Sequence, residues 1–286
     1  MSCKSIAPKL LTAYKCERYM RKQIRKVIIS LFELAGIGIT RYDSLQRLIA
    51  QASAYKKIKK DLDFLASLDE KNVGKALRLI HLLLKSKAQM RQDLFVLAEL
   101  DFKRDGFFVE FGATNGIHWS NTYLLEKEFG WRGILAEPAR VYHKDLKKNR
   151  NTNVDFACVW NKTDQMLDFN ETDIPVLSTI SDFSSKDKYS ETRKNGNTYS
   201  VNTISLMDLL RKYDAPYRID YLSIDTEGSE YEILKAFDFD TYRISVITCE
   251  HNFTDDRQKI YDLLTSQGYK RRYQDLSNVD DWYVLQ

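Results

Sequence analysis

Residues 107–116 read Phe107-Phe108-Val109-Glu110-Phe111-Gly112-Ala113-Thr114-Asn115-Gly116. An apolar run ends in an acid, two glycines follow, and a helical pattern begins at once. This spacing predicts a buried parallel strand that delivers a tight turn and a helix N-terminus, a construction suited to a nucleotide-like ligand. Arg132-Gly133-Ile134-Leu135-Ala136-Glu137-Pro138 is a second apolar run ending in an acid. Glu137 falls 21 positions beyond Gly116, about where a ribose-binding carboxylate belongs.

Outward from this stretch, strands and helices alternate. Strands are expected near 107–111, 132–137, 153–159, 219–225, 244–249 and 281–285. Helices are expected near 119–130, 139–148, 205–213, 228–236 and 255–266. Alternation with short connections predicts an α/β fold with a doubly wound, mostly parallel sheet. The polar stretch 170–200 breaks the rhythm and reads as a lid or substrate loop. Residues 1–100 read helical, with Leu45, Leu48, Ile49, Ala52, Ile58, Leu62, Leu65 and Leu68 on one stripe. The expected division is a helical N-terminal extension over 1–87 and a catalytic domain over 88–286.

With 43% hydrophobic and 29% charged residues and a net charge of +4, the chain can bury a core and is no general polyanion binder. Its first 26 residues nevertheless set eight basic side chains against Glu17 alone. Arg18, Arg21, Lys22, Arg25 and Lys26 precede the apolar Val27, Ile28, Ile29, Leu31 and Phe32. Docking on the domain or on a second subunit, as in a homo-oligomer, is one reading; peripheral contact with an anionic membrane is the other. No aromatic-interleaved basic stripe is present, so no nucleic-acid partner is expected. Cys3, Cys16, Cys158 and Cys249 form no Cys-x-x-Cys pair. Free thiols and the lack of a signal peptide lead to an expectation of a cytoplasmic enzyme.

The glycine loop does not satisfy Gly-x-Gly-x-x-Gly, which counts against a nicotinamide oxidoreductase. No Gly-x-x-x-x-Gly-Lys-Ser/Thr is present, which counts against a nucleoside triphosphate. Glu-x-Gly-Ala-x-x-Gly, with its acid at the strand end, suits a cationic ligand with no pyrophosphate. S-adenosylmethionine fits, with its sulfonium, ammonium and ribose hydroxyls. Glu137 would accept from both ribose hydroxyls.

Asp225 ends the apolar strand Tyr221–Ile224 and should face the methyl donor. Glu230, in the following turn, is better read as a helix cap. Glu250-His251-Asn252 ends the next strand. Histidine has a suitable pKa to take a hydroxyl proton at neutral pH, so His251 is the first candidate base, with Asp225 as competitor or partner. Asp225, Glu227, Glu250, His251 and Asn252 also offer ligands for Mg²⁺, with Asp225, Glu250 and His251 foremost; metal dependence stays open at this point. Trp119 and Tyr123 are aromatic candidates for stacking on a ligand ring, Tyr123 being better read as packing. His118 precedes Trp119 and faces crevice or solvent.

Phe107–Gly116, Ile134–Pro138, Ile219–Glu230 and Thr248–Asn252 together resemble the FkbM-type S-adenosylmethionine-dependent methyltransferases, over roughly 88–285. The resemblance implies a Rossmann-like class I methyltransferase sheet with a final antiparallel strand. It implies O-methylation of a sugar in a bacterial surface polysaccharide of O-antigen type, or else of a small metabolite. It places Glu110 at the methionine portion of the cofactor, with Gly112, Ala113 and Gly116 allowing close backbone approach. Residues 155–159 would flank the adenine, and Asn115, Pro138, Cys158 and Asp225 complete the expected cofactor contacts. Trp119, Glu227, Asn252 and Arg193 are the expected acceptor contacts, with Ser178, Thr179 and Asp182 nearby; Asp281-Trp282 is also familiar but reads as a closing strand. A lipid-linked glycan acceptor would suit a place at the inner face of the cytoplasmic membrane. A non-catalytic interaction module is the remaining rival, against which stand the intact Glu110, Glu137, Asp225 and His251.

Overall fold

A computed structural model describes residues 58–67 and 73–286. The basic N-terminal segment and most of the 45–68 stripe lie outside the described residues. The chain divides into two compact units, residues 1–62 and 63–286. Among the described residues no helix is long and apolar enough to cross a membrane.

The second unit is built on a seven-stranded sheet. Its strands, in chain order, are β1 (Phe107–Phe111), β2 (Arg132–Ala136), β3 (Asn153–Asp155), β8 (Arg218–Ile224), β9 (Arg243–Glu250), β10 (Tyr269–Arg272) and β11 (Asp280–Leu285). The spatial order is β10-β11-β9-β8-β1-β2-β3. All pairings are parallel except those of β11 with β9 and β10. The order reverses between β1 and β8, so the crevice beyond their carboxyl ends is where an open α/β sheet takes its ligand.

Both faces of this sheet are covered, which is why its central strands read as unbroken apolar runs. Successive side chains point to opposite faces. Val109, Phe111, Leu222, Ile224 and Ile247 pack on one side. Phe108, Tyr221, Val246 and Trp282 pack on the other, against Phe95 and Leu97 of the helix Gln92–Glu99. Phe64 and Leu79, from the expected N-terminal extension, belong to this second cluster. Cys158 and Cys249 are buried free thiols.

A second, four-stranded sheet was not expected. Its strands β4 (Cys158–Trp160), β5 (Met166–Glu171), β6 (Thr179–Ile180) and β7 (Asn197–Ser205) lie in the order β4-β7-β5-β6. The expected strand 153–159 is therefore two strands in two sheets. Its break has a local cause: the Asp155 Oδ1 accepts the Ala157 N–H at 2.9 Å. Much of the expected lid is thus β-structure. Phe169, Ile180, Phe183 and Val201 pack with Ala139 and Cys158 beneath it. The expected helix 119–130 begins only at Tyr123, because Ser120, Asn121 and Thr122 fold back onto Glu110.

Candidate functional site

A cavity of about 320 Å³ opens at the carboxyl ends of β1, β2, β8 and β9, with the second sheet as its outer wall. Its tightest point is the approach of the loops after β1 and β8. Gly112 stands there with φ +70°, and a Cβ on it would lie 1.9 Å from the Asp225 carbonyl oxygen. Only glycine allows both that conformation and that approach.

Glu110 ends up with the inward parity of Phe108. Its carboxylate accepts the Asn121 N–H at 2.7 Å and the hydroxyls of Ser120 and Thr122. Glu137 accepts the Thr114 N–H and the Ala139 N–H, each at 2.8 Å. A carboxylate offers about four acceptor positions, so two remain for a vicinal diol. Burial pushes its carboxyl up to about 7, against the pull of those two N–H bonds; Glu171 and Glu110 push the same way as burial.

The cofactor-side expectations divide. Glu110, Gly112, Glu137, Pro138, Cys158 and Asp225 line the cavity, as does Val159. Ala113, Asn115 and Gly116 do not; they shape the loop instead. Ala113 is buried in the core. The Asn115 Oδ1 accepts the N–H groups of Ile117 and His118. Gly116, at φ +80°, leaves room for Arg150, whose Cγ would lie 2.6 Å from a Cβ there. Asp155 also stands away from the lining and is paired with Lys212 at 2.7 Å.

On the acceptor side, Trp119, Glu227 and Asn252 line the cavity, with Trp119 44% exposed at its rim. Tyr123 is not among the lining residues; His118 is exposed and lies against the Trp119 ring. Arg193 is a correction: it does not reach the cavity. It is buried, donating to Glu227 Oε2, to Asp187 and to the Leu177 carbonyl, each at 2.7 Å. It therefore ties the apolar segment Pro175–Leu177 to the loop after β8. Ser178 joins the lining, and Thr179 donates to the Glu227 carbonyl.

His251 is the second correction. Its ring is buried outside the lining residues, with Nδ1 accepting the Phe253 N–H at 3.0 Å and Nε2 lying 3.8 Å from Asp281. Burial depresses its pKa, with Asp281 acting against it. Nδ1 is occupied, Nε2 is buried without a hydrogen-bond partner, and the ring is not among the residues lining the cavity. Asp281 is itself clasped by Arg257 and Arg271, so Asp281-Trp282 is part of the closing strand and core.

Asp225, Glu227 and Glu250 converge instead, with one oxygen from each within 4.8 Å of the others. His251 is not in that set. Burial pushes all three above the usual carboxylate range, Asp225 to about 7; Glu230, Glu110 and Glu137 add to the push on Asp225, and Asp225 adds to the push on Glu227 and Glu250. Glu230, expected as a helix cap, instead accepts from the N–H groups of Thr226 and Gly228 and from the Thr226 hydroxyl, in the loop before its helix.

Two contributors carried no readable signal. Asn121 is 7% exposed and lines the cavity; it donates to Ser223, and its Oδ1 has no partner. A buried orphan acceptor beside carboxylates suits a ligand that brings N–H donors, as the ammonium of S-adenosylmethionine does. Arg150 is buried and braces the glycine loop. Buried carboxylates, an open carbonyl and a glycine-cleared backbone fit that cofactor.

The methyltransferase FkbM domain model matches residues 110–271, more than half of the chain. No curated protein matches the sequence. Among solved structures, the chain is similar to the precorrin-6y C5,15-methyltransferase of Geobacter metallireducens GS-15, at 12% identity and a TM-score of 0.37, covering 67% of this chain and 85% of that one. It is also similar to a human methyltransferase 10 domain containing protein, at 15% identity and a TM-score of 0.35, covering 68% and 80%. At these scores neither likeness adds to the strand order described above. The chain belongs to the FkbM methyltransferase family, and so to the S-adenosylmethionine-dependent methyltransferases.

Proposed function

We propose that this methyltransferase acts on a hydroxyl group of a sugar in a bacterial surface glycan of O-antigen type. The observation that carries the reading is that two sets of residues line one cavity. Glu110, Asn121 and Glu137 offer acceptors to a cationic nucleoside, while Asp225, Glu227, Asn252 and the exposed Trp119 face the other occupant. Sugars match that second set: their hydroxyls donate to carboxylates, and their apolar ring faces stack on aromatic rings.

When bound, S-adenosylmethionine supplies a sulfonium methyl, and the acceptor oxygen forms its O–C bond as the S–C bond breaks with the electron pair left on sulfur. The chain contributes position and a proton acceptor. Asp225, at the lip between β1 and β8, takes the hydroxyl proton; burial raises its carboxyl above the usual range, which makes it a better proton acceptor. Holding the two reactants in one crevice provides most of the acceleration. Incubation with labelled methyl donor and candidate glycans, followed by NMR of the product, tests the reading. Label on a sugar oxygen supports it. Label only on nitrogen, or only on small non-sugar metabolites, overturns it.

Glu137→Ala should weaken cofactor binding by about 1–3 kcal/mol, through lost charge-assisted hydrogen bonds. Calorimetry with S-adenosylhomocysteine measures this, and unchanged affinity removes Glu137 from the ribose.

The same carboxyl gives a pH dependence. Its value in the fold, about 7, lies above the ordinary 4.5. Its contribution to stability is therefore complete below pH 4.5 and is lost as pH rises through 7, by on the order of 3 kcal/mol. Ribose hydroxyls donate to the ionised form and offset that loss. The rise in melting temperature on adding S-adenosylhomocysteine should be larger at pH 8 than at pH 6; an equal or smaller rise at pH 8 contradicts the assignment.

A further inference from the structure

We propose that Asp225, Glu227 and Glu250 hold a divalent cation beside the acceptor hydroxyl. The role of that ion rests on reading the cavity as the place of methyl transfer. The three carboxylates each present one oxygen within 4.8 Å of the others. Ligand distances of roughly 2.1–2.4 Å put the oxygens around a cation at separations of about 3.0–4.8 Å, which this set satisfies.

A second observation points to a missing ligand. Glu250 is 7% exposed, lines the cavity, and its Oε2 has no hydrogen-bond partner. Asn252 repeats the pattern on the same wall. Its amide NH₂ donates to Glu227 Oε2 at 3.1 Å, and its buried Oδ1 has no partner. Buried polar atoms are ordinarily satisfied, so two orphan oxygens facing one acidic group require an explanation. Arg193 also donates to Glu227 Oε2, which leaves Oε1 of that residue for another ligand.

The charge balance agrees. Among the described residues Arg193 is paired with Glu227 and is shared with Asp187. The three converging acids therefore keep negative charge that a dication would offset. The donors are all oxygen, with neither thiolate nor imidazole, which selects hard ions such as Mg²⁺, Mn²⁺ or Ca²⁺. An acceptor hydroxyl bound to such an ion loses its proton more readily. Its O–H bond breaks to the second oxygen of Asp225, the one not on the ion.

The test uses the full chain, stripped with a chelator and titrated with Mn²⁺ while electron paramagnetic resonance reports the free ion. S-adenosylhomocysteine affinity is measured on the same samples by calorimetry. About one Mn²⁺ should bind per chain, and Glu250→Gln and Glu227→Gln should each weaken it at least roughly tenfold, with circular dichroism unchanged. Should either variant misfold, Mn²⁺-induced broadening of the Asn252 and Trp119 NMR signals in the unaltered protein locates the ion. Absence of Mn²⁺ binding, binding indifferent to both substitutions, or broadening elsewhere overturns the proposal. If S-adenosylhomocysteine still binds in that event, the cation falls and the cofactor reading stands. If Mn²⁺ binds as expected and S-adenosylhomocysteine does not, the site stands and the methyl-transfer reading falls.

Discussion

Asp225→Asn is expected to lower turnover roughly 10²–10⁴-fold while leaving S-adenosylhomocysteine bound. The substitution keeps the size of the side chain and removes its ability to accept a proton. Asp225 sits at the lip where the order of strands reverses, and its backbone carbonyl is the atom that Gly112 must clear. Position and charge can be separated at this residue. A steric or folding fault would lower cofactor affinity and melting temperature together, whereas loss of the base lowers kcat alone. His251→Ala is the companion measurement. His251 is buried and accepts the Phe253 N–H, so its loss should appear in the melting temperature. If His251→Ala instead abolishes turnover in a protein that melts normally, while Asp225→Asn stays active, the proton goes to the histidine.

Much of the large sheet was legible because its strands are buried on both faces and announce themselves as apolar runs. The acids that end them, Glu110, Glu137, Asp225 and Glu250, fall at strand ends, where the chain turns over the crevice. The second sheet was not legible for the opposite reason. Met166–Glu171 and Asn197–Ser205 are half-exposed strands whose inward residues, Phe169, Tyr199 and Val201, alternate with polar ones. Counted by composition they look like loop; counted with a period of two they do not. His251 failed for a different reason. The strand ends at Glu250, and the chain then turns so that His251 is buried away from the cavity while Glu250 and Asn252 line it.

Arg150→Ala should cost about 3–5 kcal/mol of stability although the residue does not touch the cavity. Arg150 is 3% exposed. Its Nε donates to Glu126 Oε2 at 2.6 Å, and Nη1 donates to the Gly116 carbonyl and to Ser120 Oγ, each at 3.1 Å. Nη2 donates to Thr122 Oγ1 at 2.9 Å, and Nη1 lies 3.6 Å from Glu110 Oε2. Removing the side chain strands the buried Glu110 without a compensating cation and frees the segment that Glu110 gathers, residues 120–122. Since whole domains are stable by only about 5–15 kcal/mol, the change is severe. It should also weaken cofactor binding, because the loop that places Asn121 is no longer held. Arg150→Lys separates charge from geometry: an ammonium restores the cation and cannot donate in three fixed in-plane directions. Its melting temperature should fall well short of the wild-type value, although above that of the alanine variant. A lysine variant as stable as the wild type would show that charge alone braces the loop, and the fork described above would then be incidental to the fold.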